Sequence, residues 1–86
     1  MTSVGEIKAN VAASVDQAQR AALGIQVVTE QLDESMARLR LTAIGSVHPT
    51  VLTAISLLDQ ARSRLEEAST LIRSATDSAD AYRAIA

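Results

Sequence analysis

The chain has 86 residues, a net charge of −2, no cysteine, and one aromatic residue, Tyr82. That is one small domain, and it excludes disulfides and thiolate metal sites. With no basic stripe and no aromatic stacking platform, nucleic acid is not an expected partner. No apolar run reaches the roughly 20 residues needed to cross a bilayer, and membrane binding is not expected either.

The opening Met1-Thr2-Ser3-Val4-Gly5-Glu6 has no basic n-region and no apolar h-region. It reads as a start without a cleavable secretory signal, so the expected location is cytoplasmic, with export alongside a partner left open.

The first element is a helix. Val4, Val11, Ala18, Ile25, Leu32 and Leu39 recur every seven residues, and each has a companion three or four residues on. Such a ladder draws one apolar seam along a helix and requires a second helix to cover it. Ser3 with Glu6 has the spacing of a capping box, so the helix is expected over about 3–43. Gly24 sits inside it, where glycine costs about 1 kcal/mol against alanine; it marks a close crossing, a slight kink, or a tolerated defect.

The break follows at 44–49. Gly45 is the expected helix stop, and Pro49 suits the first turn of a new helix while holding His48 out of helical geometry. The second helix is expected over about 49–84. Its ladder is Val51, Leu58, Leu65, Ile72, Ala79 and Ala86, with a regular companion row of Ala54, Ala61, Ala68, Ala75 and Tyr82. Two helices of about 55–60 Å joined by so short a break predict an all-α, antiparallel two-helix hairpin in a single domain, 1–86. Dimerisation into a four-helix bundle is the expected next level.

Charges fall at helix spacing. Asp16–Arg20 and Glu34–Arg38 are i,i+4 pairs, and Asp59–Arg62, Arg64–Glu67 and Asp80–Arg83 are i,i+3 pairs. Each is expected to add a few tenths of a kcal/mol on a solvated face.

Catalytic signals are lacking. His48 is the sole histidine and reads as a solvated loop residue. The serines lie in no nucleophile elbow, no glycine loop cradles a phosphate, and the Glu30–Asp33–Glu34 cluster has no Glu-x-x-His companion. The expectation is a non-enzyme without cofactor or metal.

The apolar residues left outside the seam are more informative. Leu23 and Val27, in line with Ala9 and Ala12, form a second stripe on the first helix, and Leu57, Leu71 and Tyr82 broaden the apolar side of the second. A two-helix hairpin cannot hide residues on both sides, so another chain is expected to cover them. Leu23, Val27, Leu57, Leu71 and Tyr82 are therefore the candidate protein interface, Tyr82 as a packing anchor near the open end. Leu23→Asp with Val27→Asp is expected to abolish association while leaving the hairpin helical.

Glu6-Ile7-Lys8-Ala9, Leu65-Glu66-Glu67-Ala68 and Ala79-Asp80-Ala81-Tyr82-Arg83 resemble segments of small, Ala-rich actinobacterial helical proteins and modules associated with polymorphic toxins and type VII-like secretion. The plan is also similar to the Trp-x-Gly helical hairpins of that secretion system. The departures are that the turn reads Ile44-Gly45-Ser46 without tryptophan, and that Tyr82 is followed four residues later by Ala86 rather than an acid. The resemblance implies a partner, targeting or accessory factor for a larger secreted or toxin protein. The alternative is a self-assembling coiled-coil scaffold or filament.

Overall fold

The computed structural model of the chain describes residues 3–44 and 48–85. The expected stop at Gly45, the rest of the break at Ser46 and Val47, the first two residues, and the last rung, Ala86, lie outside the described residues. What is described is helical: α1 spans Val4–Ala43 and α2 spans Pro49–Ile85. The two pack along each other as a hairpin, giving a body of 65 × 20 × 14 Å.

Both helices begin as their first residues dictate. Ser3 is extended (φ −76°, ψ 161°), and its Oγ accepts the Glu6 amide at 3.1 Å while its carbonyl accepts the Ile7 amide at 3.0 Å. That covers donors a helix start otherwise leaves open. The reciprocal bond from the Glu6 side chain is not formed among the described residues, so half of the capping box is realised. α2 is capped by His48: its Nδ1 accepts the Thr50 amide at 3.2 Å, and its carbonyl accepts Val51 and Leu52. His48 is exposed, as expected of a loop residue, but it also closes the start of a helix.

The seam of α1 follows the ladder with a companion row four residues on. Val11, Ala18, Ile25, Leu32 and Leu39 alternate with Val15, Ala22, Thr29, Met36 and Ala43, all buried or half-buried. Val4, the first rung, is exposed. In α2 the ladder Val51, Leu58, Leu65, Ile72, Ala79 also faces inward, and the regular alanine row accompanies it only in part: Ala54 and Ala68 are half-buried, while Ala61, Ala75 and Tyr82 are exposed. The row four residues on, Ile55, Arg62, Ser69 and Thr76, is half-buried or buried throughout and supplies the other side of the seam.

The reason lies in what each row can bury. Ile55 removes more apolar surface from water than an alanine does. Arg62 reaches Asp33 on α1. The hydroxyls of the polar row carry little penalty: the Thr76 Oγ1 donates to the Arg73 carbonyl at 2.9 Å, as Thr29 on α1 donates to Ile25 at 2.9 Å. No buried side-chain polar atom among the described residues lacks a partner. Seven-residue spacing alone fits either row; side-chain size and the cross-helix charge select between them.

The core is thin. Val15 and Met36 are the buried apolar residues and Thr76 the buried polar one, and among the described residues no large side chain is fully enclosed. Two cylinders touch along one line, so each seam residue keeps an exposed flank.

Candidate interaction surfaces

Two flanks of the hairpin remain open, and they differ in chemistry. At about 100° per residue, Gln26, Asp33, Arg62, Glu66 and Arg73 project to one side of the seam. They line a shallow groove between the helices, together with Leu23. Arg62 dominates it. Its Nε donates to the Asp33 Oδ1 at 2.5 Å, and its Nη1 donates to the Glu66 Oε1 at 2.6 Å. The hydrogen bond to Asp33, then the charge of Asp33 and of Glu66, raise the Arg62 pKa above its ordinary value. The bridge ties α1 to α2 across the hairpin. It also replaces the expected Asp59–Arg62 pair, because a guanidinium flanked by two carboxylates needs no third.

The remaining charges divide. Asp16–Arg20 at 2.7 Å, Glu34–Arg38 at 3.6 Å and Asp80–Arg83 at 3.0 Å are formed as the spacing predicts. Among the described residues, Arg64 and Glu67 form no ion pair.

The opposite flank is small and apolar. On α2 it carries Ala54, Leu57, Ala61, Ala68, Leu71, Ala75, Ser78 and Tyr82, which with Arg64 at the centre run at alternating spacings of three and four. Ala54 and Ala68 are half-buried at the edge of the occupied seam, and Leu57, Ala61, Leu71, Ala75 and Tyr82 are exposed beside it. On α1 the same flank presents Ala21, Gly24 and Val28. A Cβ placed on Gly24 would meet nothing within 4 Å, so Gly24 marks no close crossing within the hairpin.

The five candidate interface residues are all exposed, Leu71 at 70% and Tyr82 at 41%. They do not share one face. Leu57, Leu71 and Tyr82 fall on the apolar flank, whereas Leu23 borders the charged groove and Val27 lies at the back of α1. The alanine row is split between the two faces: Ala54 and Ala68 border the inner seam, whereas Ala61 and Ala75 are exposed on the flank that carries Leu57 and Leu71.

Among the described residues, no three histidine, aspartate or glutamate side chains gather as a metal site, and no helix is long and apolar enough to cross a membrane. Comparison with protein-family models, with curated proteins and with solved structures finds no match to this chain.

Proposed function

We propose that this chain is a non-enzymatic helical interaction protein whose hairpin is completed by further helices laid against its open flank. One observation carries the reading. The chain exposes 6328 Å². A compact monomer of 9.1 kDa exposes about 4,900 Å², so some 1,400 Å² per chain is in excess. That excess reflects the elongated shape and thin core of a lone hairpin, which leaves apolar side chains such as Leu57 and Leu71 in solvent. Exposed Leu57 and Leu71, two heptads apart on that flank, are the kind of anchors by which a helix is recognised in a groove, and a four-helix bundle is the simplest closed form.

The biological setting we propose, an accessory or targeting factor for a larger secreted or toxin protein, is supported by the resemblance of Glu6–Ala9, Leu65–Ala68 and Ala79–Arg83 alone.

The test is thermal unfolding of the isolated chain at low micromolar concentration, followed by circular dichroism. A hairpin that needs cover melts low and broadly, and its midpoint climbs when the covering helices are supplied. A sharp transition above roughly 65 °C, beyond the usual mesophile range, in a chain shown to be monomeric would refute the proposal.

A further inference from the structure

Resting on that reading, we infer that the occupant of the apolar flank is a second copy of this chain, with α2 packed antiparallel on α2 about a two-fold axis level with Glu66. The outer stripe of α2 from Ala54 to Tyr82 is about 42 Å long at 1.5 Å per residue. It consists of an alanine row beside a row of Leu57, Arg64, Leu71 and Ser78. In an antiparallel pair these two rows face each other, so every leucine meets an alanine and the helices approach closely. With the axis level with Glu66, Leu57 faces Ala75 of the second copy and Leu71 faces its Ala61.

Charge chooses this register among those the repeat allows. Arg64 is the one charged residue in the stripe, and Glu67 lies at its rim, on the side away from α1. Among the described residues the two form no ion pair with each other. About an axis level with Glu66, Arg64 comes beside Glu67 of the second copy, and Glu67 beside Arg64 of that copy. Sliding by one repeat loses both pairs. A cation and an anion set on either side of an axis are what an isologous interface requires, since each residue must complement its counterpart's neighbour. A partner of different sequence would need no such symmetry.

The stripe's leucines are open to such a partner: Leu57 is 58% exposed and Leu71 70%. The charged groove on the other flank has already satisfied its main cation, Arg62, through Asp33 and Glu66.

The experiment is light scattering across a concentration series at low salt, where a rim ion pair is least screened. The chains compared are the wild type, Arg64→Glu, Glu67→Arg, their equimolar mixture, and Leu23→Asp with Val27→Asp. The wild type is expected to be a dimer. Each charge reversal places two like pairs across the axis and should weaken dimerisation roughly tenfold or more. The mixture restores both pairs in a heterodimer and should recover wild-type affinity. The Leu23/Val27 variant, off the proposed face, should remain dimeric. Helicity by circular dichroism confirms that the variants fold, since both reversed residues are exposed.

A mixture no tighter than its components overturns the register. Loss of the dimer in the Leu23/Val27 variant overturns the face. A mass that grows past the dimer overturns the closed two-fold. A wild-type chain that is monomeric and poorly folded overturns the second copy as occupant, yet leaves standing the need for helical cover. A stable, well-folded monomer overturns both.

Discussion

Met36 and Leu41 lie five residues apart on α1, and hydrophobicity alone ranks Leu41 at least as high. Their positions reverse the ranking: Met36 is 3% exposed and Leu41 is 70% exposed. Met36→Ala removes two carbons and a sulfur from the seam, a transfer loss of roughly 2–2.5 kcal/mol at about 0.8 kcal/mol per methylene-sized group. Cavity terms normally add to this, but the seam is open at its flanks and its neighbours are half-buried, so they can close in. The expected cost is about 2.5 kcal/mol, near the low end for Met→Ala. For a chain of 86 residues, an unfolding entropy of about 0.18 kcal/mol/K converts this to a fall in Tm of roughly 14 °C. Leu41→Ala should cost under about 0.5 kcal/mol, or less than 3 °C. Both are read by thermal melting at one fixed protein concentration, because any association makes Tm concentration-dependent. Equal shifts for the two variants would refute the assignment of the seam.

Three further changes test local features. Ser3→Ala removes the acceptor of the Glu6 amide and should cost about 1 kcal/mol, seen as faster amide exchange in the first turn of α1. Gly24→Ala adds a methyl group to open space and should stabilise by about 0.8–1.0 kcal/mol in denaturant unfolding; destabilisation would mean that something already packs against that backbone. His48→Asp keeps an acceptor for the Thr50 amide and adds a negative charge at a helix start whose first turn has no acid. It should gain about 0.5–1 kcal/mol, and an unchanged melt would show that the cap contributes little.

The two helices, their starts and the outer ion pairs were legible because each rests on local chemistry. Ser3 and Pro49 mark starts whatever the tertiary structure, and Asp16–Arg20 needs only helical spacing. The inner face of α2 was not legible. The ladder from Val51 to Ala79 has a neighbour row on each side, and the alanine row is the more regular, so sequence pattern favours it. What decides is across the hairpin: Asp33 opposite Arg62, and the greater bulk of Ile55. Those are pairings between helices, invisible in either helix read alone. The same displacement explains the candidate interface. With Ala61 and Ala75 exposed, Leu57 and Leu71 have apolar neighbours on their flank, while Leu23 and Val27 lie on other faces.

The hairpin also carries a directional folding order. Cross-helix contacts near Ala43 and Val51 close only a few residues of intervening chain, whereas those near Val11 and Ala79 span most of it. Since the entropy of closing a loop rises with its length, the pairing that forms first is beside the break, and each later rung shortens the effective loop for the next. The helices should therefore zip from the His48 end toward the termini. Substitutions at Met36 or Leu58 would slow folding, whereas those at Val15 or Thr76 would chiefly speed unfolding. The Asp33–Arg62 bridge sits between these zones, a latch reached partway along the zip.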